Sequence, residues 1–240
     1  YLITEPIAEL TARDEKLPLL RDPDSSCYLR QEKDGLLLGP YEKNCRAHWL
    51  SSDDPMPDDF SFQLYNDDLE RLEWYIEDAC ARVPILGTAG ITRVVNGPIP
   101  YTPDGLPLIG PMPNVPNAFE ACVFTFGIVQ AGGAGKLLAE IIIEGETESD
   151  SWAVDPRRFT DHVDTAYTAA KAIETYSHEY AMHFPQIQWP AGRKSKYSPL
   201  YDRLAAAGAE FGSYGGWERA DWFPTNAVDR RPADSYDRQH

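Results

Sequence analysis

Four glycines, Gly127, Gly132, Gly133 and Gly135, interrupt an otherwise apolar stretch, AFEACVFTFGIVQAGGAGKLLAEIIIEG, residues 118–145. Residues 118–126 have the length and composition of a buried strand. Leu137, Leu138, Ile141 and Ile142 fall on one helical face, and Gly145 supplies a stop. The spacing predicts a strand, a glycine-rich turn and a helix whose N-terminus lies at 132–135, its N–H groups free of covering side chains. Such a terminus carries partial positive charge and spare donors, and suits an anion or an electron-rich ring. The same glycines also suit close packing of helix on strand, and the pattern alone leaves both uses open. It is neither G-x-G-x-x-G nor a P-loop. Lys136 follows Gly135, but Leu137 stands where a P-loop needs Ser or Thr.

A second stretch, NGPIPYTPDGLPLIGP at 96–111, carries the turn Pro103-Asp104-Gly105, an apolar run from Leu106 to Ile109, and a Gly110-Pro111 stop. Other candidates for chemistry are weaker. Arg30, Arg46 and Arg93 lie on or beside predicted strands, where an arginine can meet a carboxylate, although most arginines only solvate a surface. His162, His178 and His183 have no zinc spacing and read as structural. The cysteines Cys27, Cys45, Cys80 and Cys122 form no close pair, which points to free thiols in a reducing compartment. Cys122 sits in the apolar run and reads as a small buried hydrophobe.

The elements that position these residues are legible in outline. Residues 1–5 predict a strand and 8–26 a loop. Residues 27–31 and 35–38 predict strands around Lys33-Asp34-Gly35, and 46–50 another. Residues 53–60 hold four Asp and two Pro and predict an exposed acidic loop. Asn66 caps a helix with Leu69, Leu72, Ile76, Ala79 and Val83 on one face, ended by Pro84. Residues 91–95 return as a strand, giving an antiparallel sheet backed by a helix. The acidic stretch 144–150 marks a boundary. Beyond it Asp161 caps a helix, 178–197 are irregular, and Ser198-Pro199 opens a helix that ends at Gly208. Residues 211–223 are aromatic and glycine-rich, and the run 214–223 suits either a pocket wall or, the preferred reading, a linker packed on a neighbour.

The chain has 240 residues, 42% of them hydrophobic, enough for one or two domains with a sizeable core. Its formal net charge of −16 argues against nucleic acid and anionic membranes as partners and reads first as a solvated acidic surface. No apolar run approaches the ~20 residues that span a bilayer, and the first residues lack the pattern of a signal peptide.

Taken together, TPDGLPLIGP and GIVQAGGAGKLLAEIIIEG resemble the C-terminal end of the D-amino-acid-oxidase-like flavoproteins, most closely the dimethylglycine and sarcosine dehydrogenase branch. The resemblance continues through DPRRF (155–159), HEYAMHFP (178–185), WPAGR (189–193), SPLYDRL (198–204) and GWERADWF (216–223), and so covers most of the chain. It implies an α+β fold: residues 1–146 as an antiparallel substrate domain with the C-terminal strand–helix of an FAD-binding domain, 147–223 as a small, mostly helical and irregular central domain, and 224–240 as a linker. The family's N-terminal G-x-G-x-x-G half and its flavin histidine do not occur here. The chain therefore reads as an internal piece of a larger polypeptide, or one partner of a split enzyme, inactive alone.

The implied activity is FAD-dependent oxidation of an N-methylated glycine-type substrate, with the one-carbon unit passed as an iminium to water or to tetrahydrofolate held by a following domain. The alternative is a non-catalytic scaffold that assembles with a separate flavin-binding half. The resemblance places flavin contacts at Asp104, Gly105, Leu106, Gly127, Ile128, Gly132 and Gly133, and no metal. It aligns Tyr1 with a substrate-facing tyrosine of an H-x-Y-L-x-T strand, a position that ordinary sheet packing also explains. Partners are then the small N-methylated amino acid and the remaining domains, in cis or as another chain. The location would be cytoplasmic in a bacterium and the mitochondrial matrix in a eukaryote.

Overall fold

Leucines paired across neighbouring strands set the register of the first part of the chain. The computed structural model describes residues 1–182 and 187–225. Among these, Tyr1–Ile99 with Tyr176–Met182 form one compact unit, and Pro100–Thr175 with the described residues after Met182 form another. In the first unit, strands β1 (Leu2–Thr4), β2 (Leu20–Asp22), β3 (Cys27–Glu32), β4 (Gly35–Pro40) and β5 (Ile91–Val94) make one sheet in the order β2-β3-β4-β1-β5. Every neighbouring pair is antiparallel. Leu29 lies opposite Leu38, and Leu38 opposite Leu2, so these residues share one face with Leu36. That face buries against Ile7 and Leu10 at α1 (Ala8–Thr11), Ala79 of α2 (Glu73–Arg82), and Leu86. Each fully buried leucine contributes about 1.5–3 kcal/mol.

Sequence pattern and structure part company at several places in this unit. Residues 8–26, expected to be a loop, hold α1 and β2. Residues 46–50 form no strand; Trp49 takes a left-handed φ of 58°, and only an isolated bridge between Ser51 and Asp54 follows. Asn66 does not cap the helix. No side chain caps α2, whose N-cap is Leu72; Asp68 accepts from the Arg71 N–H at 3.2 Å beside a 3₁₀ turn over Glu70–Leu72 that precedes the helix.

On the far side of the sheet, Tyr28 stands opposite Gly39 in register, and its ring occupies the space above that glycine. A Cβ on Gly39 would lie 2.1 Å from Tyr28 Cζ. The glycine is therefore the condition for the ring's position.

The second unit opens with the antiparallel pair β6 (Leu108–Pro111) and β7 (Phe119–Cys122), followed by α3 (Ile128–Glu144). Helix α4 (Thr165–Ser177) comes next; its last two residues cluster with the first unit. Asp164, not Asp161, caps α4, its Oδ1 accepting from the Tyr167 N–H at 2.7 Å. Strand β8 (Lys196–Tyr197), helix α5 (Tyr201–Ala206) and strands β9 (Glu210–Tyr214) and β10 (Trp217–Trp222) complete it, with a three-stranded sheet in the order β8-β10-β9. Residues 211–223 are thus largely a hairpin rather than a linker. Gly215 and Gly216 have φ of 57° and 81°, the geometry a two-residue hairpin turn demands. The central region is more sheet-rich than expected. His183 and residues 226–240 lie outside the described residues.

Two buried ion pairs hold the second unit. The Arg158 side chain, 3% exposed, donates from Nε and Nη2 to the two Asp104 oxygens at 2.8 and 2.9 Å. Arg193 grips Glu218 in the same fork at 2.8 and 2.6 Å, and the Lys194 N–H adds a third bond at 2.7 Å. These contacts, the Arg193 fork first, hold the Glu218 carboxyl below its usual range of about 4.5.

Two measurements check this account. Gly39→Ala is expected to lower unfolding stability in urea by about 1–3 kcal/mol, and the loss should largely vanish in a Tyr28→Ala background. Because the Glu218 pKa is depressed on folding, its stabilisation is present above the unfolded value near 4.5 and is lost as pH falls through the folded one. Urea midpoints should therefore drop from about pH 4.5 downward, and less steeply in Glu218→Gln.

Candidate functional site

Tyr1 is fixed by the ladder beside β1. Its N–H donates to Val95 O at 3.0 Å, and its carbonyl accepts from the Val95 N–H at 2.8 Å. Leu2 faces the core, so alternation turns Tyr1 to the opposite face. There it is 42% exposed and lines a cavity of about 270 Å³ within the first unit. Tyr28, Tyr41 and Tyr176 contribute to the same wall, with Glu42, Asp68, Arg71 and Asn96. The tyrosines form a chain of rings: Tyr41 lies 5.2 Å from Tyr176 and 4.6 Å from Tyr180, which stacks on Tyr28 at 6.1 Å. Burial pushes the Tyr28, Tyr41 and Tyr176 phenols up, so they are neutral hydrogen-bonding groups near neutral pH.

Arg71, at the turn before α2, brings a guanidinium to this cavity. Nε lies 2.5 Å from Glu42 Oε1, one guanidinium nitrogen lies 3.5 Å from Asp68, and another donates to Asn96 Oδ1 at 3.1 Å. The Glu42 contact is an ion pair without hydrogen-bond alignment, since neither Glu42 Oε1 nor Arg71 Nε finds a well-directed partner. Arg30, Arg46 and Arg93, the arginines suggested by strand position, are exposed, and Arg30 pairs with Glu32. Glu42 and Arg71 escaped sequence reasoning because only tertiary structure brings them together.

The second unit presents a different surface. Gly127 precedes α3 with φ 58° and ψ −111°, and no side chain caps the helix. The helix begins at Ile128, so Gly132, Gly133 and Gly135 lie inside it rather than at its N-terminus. Gly127 makes the break, and the ~1 kcal/mol that each interior glycine costs relative to Ala is not enough to move it. The free N–H groups are those of the first turn. Ile128 and Val129 are 93% and 82% exposed there, and Gln130 holds a buried Oε1 with no partner.

A Cβ placed on Gly132, Gly133 or Gly135 meets nothing within 4 Å, so helix-on-strand packing does not account for these glycines. Nor is the preceding strand buried. β7 is exposed along most of its length, and Cys122 is exposed, its thiol 3.5 Å from Glu120 Oε2. An edge strand with one neighbour leaves its side chains in solvent, which apolarity alone does not reveal.

The Pro103-Asp104-Gly105 turn lies beside this helix terminus, since Thr125 Oγ1 donates to Gly105 O at 3.4 Å. The Asp104 carboxylate is engaged by Arg158, by Thr102 Oγ1 at 3.0 Å and by the Leu106 N–H at 3.1 Å. The Leu106 carbonyl accepts from Thr102 and Arg158, and its side chain is exposed. Thus Asp104, Gly105, Leu106, Gly127 and Ile128 form one region, with Gly132 and Gly133 one turn further along α3. Tyr1 belongs to the other unit. Open glycines, free N–H donors, exposed apolar residues and an unpartnered amide fit a planar, electron-rich ring with anionic edges, such as a flavin.

His162 hydrogen-bonds Thr160 at 3.1 Å and packs on Tyr167, and burial lowers its pKa. Among the described residues no group of three His, Cys, Asp or Glu is placed to hold a metal ion. No helix among them is long and apolar enough to cross a membrane.

The tyrosine-lined cavity of the first unit and the open helix terminus of the second are the two candidate binding surfaces of the chain. Residues 1–141 match the family described as FAD dependent oxidoreductase, and 144–198 match the FAD dependent oxidoreductase central domain. The chain belongs to the FAD dependent oxidoreductase family. It is 40% identical over 240 residues to mitochondrial dimethylglycine dehydrogenase of Homo sapiens, covering 97% of this chain and 27% of that protein. It is 36% identical over 228 residues to mitochondrial sarcosine dehydrogenase of Mus musculus, 93% of this chain and 24% of the relative. It is 36% identical over 218 residues to the formaldehyde-forming 4-methylaminobutanoate oxidase of Paenarthrobacter nicotinovorans, 90% and 26%. The chain thus spans about a quarter of the length of these curated relatives.

Gly133→Ala separates the two uses of the α3 glycines. With nothing near the new methyl, it is expected to stabilise this chain by about 0.5–1 kcal/mol in thermal or urea unfolding. A destabilisation would return the glycine to a packing role.

Proposed function

We propose that this chain supplies the substrate-binding and flavin-facing part of an FAD-dependent amine dehydrogenase or oxidase that demethylates N-methylated glycine-type substrates such as dimethylglycine or sarcosine. The observation that carries the reading is the first turn of α3, with its free N–H groups and glycines that no neighbour requires. The names of the relatives support the substrate class. Bound FAD supplies the hydride acceptor. Gly127, Ile128, Gly132 and Gly133, with Gly105 and Leu106, would lie along the ring, and the helix dipole would favour charge gathered at its edge. Asp104 would act through the turn, because Arg158 holds its carboxylate. Tyr1 would orient the amine or take part in its deprotonation.

The same proposal divides the chain into 1–146 for the oxidoreductase part, 147–223 for the central domain and 224–240 for a linker. The family matches at 1–141 and 144–198 support the first boundary. It also assigns the one-carbon unit to water or to tetrahydrofolate on a following domain, and the flavin-binding half to the same polypeptide or another chain. The mitochondrial relatives suggest the matrix if the source is eukaryotic, and the cytoplasm if it is bacterial. Anaerobic mixing of the flavin-loaded full-length protein with dimethylglycine and sarcosine tests the reaction. Bleaching of the flavin supports it, and a flavin that neither substrate reduces leaves the scaffold reading.

In that protein, Tyr1→Phe removes one hydroxyl and almost no volume, so the melting point should barely change. Flavin reduction is expected to slow by about tenfold, equivalent to ~1.4 kcal/mol, with an altered pH dependence. An unchanged stopped-flow profile would assign Tyr1 to sheet packing.

A further inference from the structure

Asp104 puts a negative charge where a flavin needs none. Its side chain is 38% exposed, and its turn is bonded to Thr125 at the entry to α3. A ring that gathers negative charge at its edge would meet a carboxylate of the same sign there. Arg158 removes the conflict. Its guanidinium, 3% exposed, closes on both Asp104 oxygens, and the pair is neutral as a unit. Thr102 Oγ1 and the Leu106 N–H donate to Asp104 Oδ1 as well. The Phe159 ring, its centroid 4.3 Å from the guanidinium carbon, covers one face of the cation.

The two charges come from different segments. Asp104 lies in residues 1–141, and Arg158 in the central-domain match at 144–198. A second residue of the later segment reaches the same turn. Thr175 Oγ1 donates to Pro103 O at 3.0 Å, and the Thr175 methyl lies 2.9 Å from where a Cβ on Gly105 would stand. The 103–105 turn is therefore gripped by residues 158 and 175, and Thr125 passes its position to the start of α3.

We propose that Arg158 is a positioning residue for the flavin: it fixes the Asp104 turn and cancels its charge, so that the central-domain segment sets the reduction potential of a ring bound at the α3 terminus. The proposal rests on the flavin reading of that terminus. Charge near the ring decides how readily it takes electrons. Without Arg158 the exposed carboxylate stands uncompensated and disfavours the reduced ring. With Asp104 neutralised, the guanidinium stands uncompensated and favours it. Loosened packing alone carries no such sign.

The test uses the flavin-loaded full-length protein and measures its flavin midpoint potential against a reference dye, with no amine present. Arg158→Met is expected to disfavour reduction by at least about tenfold, ~30 mV for a two-electron couple, and Asp104→Asn to favour it by a similar factor. The double variant should return close to the wild-type value. Asp104→Asn barely changes volume and keeps an acceptor for Thr102 and Leu106, so it carries the sign test if Arg158→Met does not fold. Lowered melting points with unmoved potentials would reduce Arg158 to a structural anchor and overturn the proposal. Shifts of the same sign in both single variants would overturn it too. The amine reaction is judged separately, on the wild type. Potentials that move in opposite directions in a protein that N-methylamines do not reduce would remove the reaction and keep the positioning role. A wild type that those amines bleach, with potentials unmoved in the variants, would do the reverse.

Discussion

The buried guanidinium of Arg158 is the interaction on which the second unit depends. A charged group that is 3% exposed is tolerated only when every donor is answered. Arg158 meets this through Asp104, the Leu106 carbonyl and the Asp155 carbonyl at 3.1 Å. The consequence is geometric. The 103–105 turn cannot shift without leaving that charge unpaired, an arrangement whose loss costs about 3–5 kcal/mol in comparable proteins. Thr125 is tied to the same turn, so the entry to α3 inherits its position. A carboxylate that sequence resemblance assigns to the flavin region thus works as the anchor of that region, and the exposed backbone beside it is what remains free to meet a ligand.

In the first unit the organising constraint is steric. Tyr28 needs the bare backbone of Gly39, and the sheet register puts them opposite each other. That contact sets one ring of the Tyr28–Tyr180–Tyr41–Tyr176 chain. It also places aromatic rings on the far face of the sheet, beside the buried Leu37. Core and cavity are therefore opposite faces of the same strands: Leu2 and Leu38 inward, Tyr1 and Gly39 outward. Period-two alternation means that no single residue of β1 can serve both.

The parts of this architecture legible in sequence are those governed by local rules. The hairpin signal Lys33-Asp34-Gly35 marked β3 and β4, and Pro103-Asp104-Gly105 gave its turn, whereas Ser198-Pro199 only precedes α5, which starts at Tyr201 with Leu200 at its N-cap and no side-chain cap. The misses share a cause. β7 has the composition of a buried strand, but burial depends on what lies on either side of it. The start of α3 was displaced because the glycines were weighed by propensity, while the conformation of one residue, Gly127, decides where the helix begins. The β9–β10 hairpin was signalled by Gly215-Gly216 and lost among its aromatic neighbours. Asp164 displaced Asp161 as the cap of α4 because its side chain reaches the N–H three residues on, and Asn66 gave way to a 3₁₀ turn that leads into α2 with no side-chain cap. Nothing local identifies the Glu42–Arg71 pair, whose members are far apart in sequence.

The α3 glycines show how a local rule broken without structural compensation can mark a site. Interior glycine weakens a helix, and three of them fall within one turn of α3, just past the first turn whose backbone donors are free. A structural explanation requires a neighbour too close for a methyl group, as at Gly39, where the Tyr28 ring is that neighbour. At Gly132, Gly133 and Gly135 there is no such neighbour. What the three share is an uncovered helix surface leading to the terminus at Gly127, with exposed Ile128 and Val129 at its tip. A flat ring laid on that surface would use the absence of side chains directly, and would also cover the apolar residues that solvent now meets. The destabilisation is then a cost borne by the chain for a surface shaped to something other than itself.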